Sequence, residues 1–210
     1  MKIFARLLTL SMLSLAPLAS QQAQAGGGPL GIDHRVTYDD SGIWARNVQL
    51  KVEYGLLLAE AGIAVWEGGE SRLGRTAWQS IDATVVNAVA VEVLKKGLSR
   101  ERPNKTADPG RWFAGGGNAS FPSGEVSLAA TVVTPFILEY GHDHPAAYGL
   151  LAIPAYDAIA RVKTWGHWQS DVIAGAALGA AIGYWAHERE SPFVLSVMPQ
   201  GVQVGWSKRW

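Results

Sequence analysis

The chain has 210 residues, 48% of them hydrophobic and 17% charged, which suits one domain with a substantial core. Its 18 basic and 18 acidic residues cancel, so it has no general electrostatic pull toward nucleic acid or anionic lipid. It has no cysteine, which excludes disulfides as a source of stability in any compartment.

Residues 1–25 read as a secretory signal peptide: Lys2 and Arg6 make a basic start, Leu7 to Leu18 an apolar run, and Ala23-Gln24-Ala25 a small-x-small cleavage site. The expected location is therefore periplasmic or secreted, with an integral membrane location less favoured. Residues 26–45 form an irregular leader beginning Gly26-Gly27-Gly28-Pro29, and residues 46–190 carry a helical pattern. A first helix is expected over Asn47 to Trp66 and a second over Ser80 to Lys96, with Gly97 at its end. Leu98 to Ser120 is a long polar, glycine-rich connection of the kind that serves a site. Three more helices follow, over Ser123 to Tyr140, Ala146 to Lys163 and His167 to Glu188, with Pro135 and Pro154 expected to kink the first two. Residues 191–210 alternate apolar residues around Met198-Pro199-Gln200-Gly201 and suggest a β-hairpin. The fold class is thus all-α, an antiparallel bundle of five to six helices with a short C-terminal hairpin.

The most apolar run, Val172 to Ala186, is 15 residues long, short of the roughly 20 that span a bilayer. Glu67 to Trp78 carries two charges of each sign, so it shows no positive-inside signature. A soluble bundle is favoured on these grounds, with peripheral membrane contact left open.

Chemistry concentrates in three segments. They are Lys95-x6-Arg102-Pro103, Pro122-Ser123-Gly124-Glu125, and Arg161-x5-His167-x3-Asp171. In an antiparallel bundle, Lys95 ends one helix, Ser123 starts the next long one, Arg161 ends the returning helix and His167 starts the last. All three segments then fall at one end. Lys95 supplies a point charge, Arg102 and Arg161 offer planar forks, and Ser123-Gly124 presents a hydroxyl and backbone N–H groups at a helix start. That set suits a phosphoryl group, whose negative charge spreads over three oxygens during transfer. His167 and Asp171, four apart, are expected one helical turn from each other, with the carboxylate fixing the imidazole tautomer. Gly175, Gly179 and Gly183 continue that stripe and are expected to admit a close neighbouring helix. His142 and His144 fall in a turn at the other end and are assigned to solvent, so no metal site is expected.

The three segments, in this order, resemble the type 2 phosphatidic acid phosphatase superfamily, which includes bacterial class A acid phosphatases, lipid phosphatases and vanadium haloperoxidases. The resemblance runs from Lys95 to about Gly175 and is most specific in Ser120-Phe121-Pro122-Ser123-Gly124 and His167-Trp168-Gln169-Ser170-Asp171-Val172. It implies that Lys95, Arg102, Ser123, Gly124 and Arg161 bind phosphate. It further implies that His167 attacks phosphorus to give a phosphohistidine, with Asp171 orienting it, and that no cofactor is required, vanadate being able to bind as a phosphate mimic. The implied activity is a phosphatase acting on a phosphorylated small molecule, phosphomonoester or lipid diphosphate, with no nucleic-acid partner.

Two departures stand out. Ala160 replaces a frequent Ser before the arginine, and Glu125 replaces the histidine that protonates the leaving oxygen. Glu125 could serve as a replacement acid if burial raised its pKa, but neighbouring cations would tend to ionise it. The alternatives are a preference for good leaving groups, or a phosphate- or headgroup-binding protein that has lost turnover. A vanadium-dependent haloperoxidase is a further alternative, although its chemistry relies on the missing histidine.

Overall fold

The computed structural model describes residues 27–115, 119–189, 196–198 and 201–203. The expected signal peptide lies outside them. The described helices are α1 (Arg46–Glu67), α2 (Arg72–Leu98), α3 (Gly124–Tyr140), α4 (Ala152–Lys163) and α5 (Gln169–His187), with 3-10 turns at Gly42–Trp44 and Pro145–Leu151. The all-α bundle is therefore as expected. The hairpin over residues 191–210 is not supported as an element of the fold: only two three-residue strands, Ser196–Met198 and Gly201–Gln203, pair antiparallel, and their connecting and flanking residues lie outside the described set.

Helix α2 begins eight residues before the expected start. Ser71 caps it, its hydroxyl accepting from the Gly74 N–H at 2.9 Å. A side chain at Gly74 would run into the Gly68 carbonyl, so that glycine serves a tight approach inside the helix and does not break it. The helix also runs through Gly97, and Ser99 takes the left-handed cap at φ 32°, its N–H donating to the Lys95 carbonyl at 2.9 Å. The helix expected over Ala146 to Lys163 is divided into the 3-10 turn and α4. Pro154 then sits in the first turn of α4, where its missing N–H costs nothing. Pro135 lies inside α3.

Helices α3 and α5 form the most extensive pair in the bundle, and the glycine stripe is the cause. A Cβ at Gly175, Gly179 or Gly183 would meet, in turn, Ser123, Ser127 and Thr134 with Thr131 on α3. The small residues Val126, Ala129, Ala130, Val132 and Val133 fill the buried face of α3. Close packing holds the start of α3 against the start of α5, and the Ser123 N–H donates to the Asp171 carbonyl at 3.0 Å. Two of the three sequence segments are thereby locked together.

Candidate active site

At that end of the bundle lies a cleft of about 440 Å³ lined by Arg46, Glu53, Lys95, Arg102, Gly124, Glu125, Arg161 and His167. Lys95, Arg102, Gly124, Glu125, Arg161 and His167 were each expected at one site from the sequence, and the fold brings them together. The Lys95 ammonium lies beside Gly124 at the start of α3, where a Cβ would make ordinary contact with Nζ at 3.6 Å and a tighter one with Val91 at 3.3 Å. Gly166 makes room for Arg161, whose guanidinium occupies the space a side chain at 166 would need. The Gly166 carbonyl accepts from Arg102 Nη1 at 2.9 Å, and the Ala119 carbonyl accepts from Nη2 at 3.1 Å, which fixes the second fork. Burial, helped by the Arg102 charge, pushes the Lys95 ammonium below its ordinary value. Ser123 does not line the cleft. It is fully buried at the N-cap of α3, and among the described residues its hydroxyl has no hydrogen-bond partner.

His167 and Asp171 are arranged differently from the helical pair expected. The helix starts only at Gln169, so His167 precedes it. Asp171 is the third residue in and caps the helix by accepting from the Trp168 N–H at 2.9 Å. The imidazole Nδ1 lies 3.9 Å from the Asp171 carboxylate and instead donates to the Ser120 carbonyl at 2.6 Å. Because a carbonyl can only accept, Nδ1 carries the proton and Nε2 keeps its lone pair, facing Arg102 Nη1 at 3.4 Å. Asp171 acts on the ring through Ser120, whose hydroxyl donates to its carboxylate at 2.5 Å. His167 is 2% exposed, and burial lowers its pKa to about 4; Arg102 and Arg161 add to the shift while Asp171 opposes it. The ring is therefore neutral at pH 7.

Asp171 belongs to a buried network absent from the sequence reading. Arg100, fully buried, donates through Nη1 to Asp171 at 2.5 Å and to the Ser170 hydroxyl at 2.8 Å, and through Nη2 to Asp33 at 2.7 Å. Asp33 also accepts from the Ser170 N–H at 2.7 Å and its hydroxyl at 2.6 Å. The stretch taken for an irregular leader thus supplies a buried carboxylate behind the imidazole. Asp171, on which burial works upward, is held below the ordinary carboxylate range by His167, Arg100 and Ser120.

Arg46 was missed as well. It begins α1, and on the same helical face follow Gln49 and Glu53. Gln49 accepts from both Arg46 Nη1 and Arg161 Nη1 at 3.2 Å. Glu125 lies between the same two arginines: it pairs with Arg46, and Arg161 Nε stands 2.6 Å from its other oxygen, too bent for a hydrogen bond but close enough for an ion pair. Burial works to raise the Glu125 carboxyl, yet the charges of Arg161 and Arg46 outweigh it and hold it low. Of the alternatives the sequence left open for Glu125, a replacement acid thus meets a carboxylate already neutralised by two guanidinium groups, the ionisation expected beside such cations. Two other acids are near it, Glu53 on the wall of the cleft and Asp157 off it. Burial raises Glu53, and it lifts Asp157 to about 7, with the Glu125 charge contributing to each.

A match to the PAP2 superfamily covers residues 76–191, more than half of the chain. The chain belongs to the PAP2 superfamily. Within it, the chain is 38% identical over 102 residues to a lipid A 1-phosphatase of Porphyromonas gingivalis, a match covering 45% of this chain and 20% of that protein. The chain thus spans about a fifth of that curated relative. The fold is also that of a transmembrane PAP2-type phosphatidylglycerolphosphate phosphatase from Bacillus subtilis, with a TM-score of 0.52 at 20% identity, over 70% of this chain and 76% of the other. These PAP2 relatives correct the expected periplasmic or secreted location. The solved structure with the same fold is a transmembrane protein, and none of the matches points to a secreted one. The expectation rested on residues 1–25 and on short apolar runs, and neither decides where a bundle of this fold resides. No helix among the described residues is long and apolar enough to cross a membrane.

Proposed function

We propose that this PAP2 protein is a phosphatase acting on a phosphorylated lipid through a phosphohistidine at Nε2 of His167. The observation that carries the reading is the imidazole itself: its Nδ1–H is fixed on the Ser120 carbonyl, and its free Nε2 faces a cleft with Lys95, Arg102 and Arg161. In this reading those cations, with Gly124 at the start of α3, hold the phosphate oxygens, while the buried Ser123 shapes the helix start behind them. Nε2 then attacks phosphorus in line with the leaving oxygen, and the ring becomes positively charged. The Asp171 carboxylate, 3.9 Å from Nδ1 and linked to it through Ser120, stabilises that charge and holds the tautomer. The P. gingivalis relative supports a lipid as the carrier of the phosphate. A monoester and a diphosphate both suit the cleft.

One observation favours a second reading. The Glu125 carboxylate already occupies two of the cleft's arginines, as it would in a protein that binds headgroups without turnover. Phosphate release from lipid monophosphates and diphosphates by the full chain, compared with H167A, separates the two. The phosphatase reading expects turnover that falls by at least about 10³-fold in H167A, with an acid-labile phosphohistidine trapped in the parent protein. Activity that survives H167A would refute the mechanism, and phosphate binding without release would support the second reading.

A further inference from the structure

Within the phosphatase reading, cleavage of an alkyl phosphate needs an acid for the leaving oxygen, and the histidine that supplies it elsewhere in the superfamily is Glu125 here. We infer that Glu53, on the α1 wall of the cleft, is the group that donates this proton. The inference rests on the phosphatase reading and adds the missing step to it.

Arg46, Gln49 and Glu53 are spaced three and four residues apart, so they share one face of α1. Two of them are tied to the site, Arg46 through Glu125 and Gln49 through Arg161. The third, Glu53, lines the same cleft as His167 and the phosphate cations. Helix α1 packs on α2, α3 and α4, whereas His167 precedes α5, so acid and nucleophile enter the cleft from different elements. That arrangement leaves room for an in-line displacement, in which the leaving oxygen departs on the side of phosphorus away from the attacking nitrogen.

Elimination gives the same answer. Two carboxyls line the cleft, Glu125 and Glu53. Glu125 is held ionised by Arg46 and Arg161, whereas Glu53 forms no ion pair or hydrogen bond among the described residues. Asp157 is 6% exposed and lies behind Glu125, off the cleft. Glu53 stands where the polar cleft meets the apolar side chains of Val52, Leu56, Leu128 and Ile153. Burial there, with the Glu125 charge next to it, pushes its carboxyl up; Arg46 and Arg161 oppose the shift. The charged or titratable groups around it are Arg46 on α1, Lys95 on α2, Glu125 on α3, Asp157 and Arg161 on α4, and Arg102 and His167 from the loops. Ionised Glu125 thus has a use: it partly neutralises the arginines and favours a protonated Glu53.

The steps balance. In the first, the Nε2–P bond forms, the P–O bond breaks with its electron pair going to oxygen, and the Glu53 proton moves to that oxygen. The products are the alcohol, phosphohistidine and a Glu53 carboxylate. In the second, Glu53 takes a proton from water as its oxygen attacks phosphorus. The N–P bond then returns its pair to Nε2, phosphate leaves, and Glu53 is protonated again.

The test compares E53Q and E53D with the parent protein on an alkyl phosphate and on p-nitrophenyl phosphate, whose leaving group needs little protonation. Thermal melts of both variants confirm folding. The expected result is that E53Q loses about 10²- to 10⁴-fold in kcat/KM on the alkyl ester, at least tenfold more than on the aryl ester. E53D should recover part of the difference, and the alkaline fall of the alkyl-ester profile should disappear in E53Q. Equal losses on both esters, or the same discrimination in E125Q but not in E53Q, would overturn the assignment. If H167A retains the parent's activity on both esters, the phosphatase mechanism fails first, and that result is distinct from failure of the Glu53 step alone.

Discussion

Replacing Glu125 by Gln removes a negative charge from between Arg46 and Arg161 while keeping the side chain's volume. In the parent protein that charge opposes any phosphate entering the cleft. At a separation of roughly 5 Å and an effective dielectric constant of about 20, one unit charge repels another by about 3 kcal/mol. The site is partly shielded, since the Glu125 side chain is 16% exposed and that of Arg161 10%, so the effective dielectric sits nearer this value than that of water. E125Q should therefore bind inorganic phosphate or vanadate on the order of 100-fold more tightly at pH 7. The anion-free variant should be less stable, because two guanidinium groups lose their partner; Arg46 is 42% exposed, which limits the loss to about 1–3 kcal/mol. Saturating phosphate at about 100 times Kd should return about 2.7 kcal/mol. The pH dependence has a definite sign. Glu125 has a folded pKa below 4.5, so its contribution is complete above about 4.5 and fades as pH falls through the folded value. The stability gap between parent and variant should close on acidification. Calorimetric titration with phosphate and melts at several pH values provide the readout. Phosphate binding in E125Q no tighter than in the parent would refute the electrostatic reasoning.

Removing the Asp33 carboxylate in D33A leaves Arg100 with one carboxylate in a fully buried site, and should cost about 3–5 kcal/mol in urea unfolding. Asp157 has its pKa raised from 3.8 to about 7, so the folded protein binds the extra proton and loses stability as pH rises through that interval. D157N should therefore match the parent near pH 4 and exceed it by roughly 2–4 kcal/mol at pH 8, as read from paired melts. In G179A a methyl group would be forced against the Ser127 carbonyl and Ala130. It should cost about 1–3 kcal/mol and lower activity by moving α5, and with it Asp171, relative to α3.

Much of this site was legible in the chain because short-range spacing encodes it. Lys95 to Arg102, Pro122 to Gly124 and Arg161 to Asp171 are compact segments at helix ends, and helix direction alone brings them to one end of a bundle. The glycines at 175, 179 and 183 gave the packing of α5 for the same reason, since a period of four leaves one face of a helix bare. Local pattern misled where a tertiary contact competed with it. Ser71 and Gly74 begin a helix because Gly74 packs against the preceding turn, which no periodicity shows. His167 and Asp171 have helical spacing, yet Asp171 spends one oxygen on capping and the imidazole turns to the Ser120 carbonyl.

What the sequence by itself determined is the family, the all-α class and the convergence of Lys95, Arg102, Arg161 and His167 at one end of the bundle. Only the tertiary structure decided which charges compensate which. Arg100 with Asp33 and Asp171, and Arg46 with Glu125, join residues some 65 to 80 positions apart. In a chain with equal numbers of acids and bases, every charge has many possible partners, and nothing local selects among them. The selection comes from burial: once helices α1, α3 and α5 have packed, a charge without its counterpart would be too costly to keep. That pairing leaves Glu125 ionised and Glu53 as the unpaired carboxyl of the cleft.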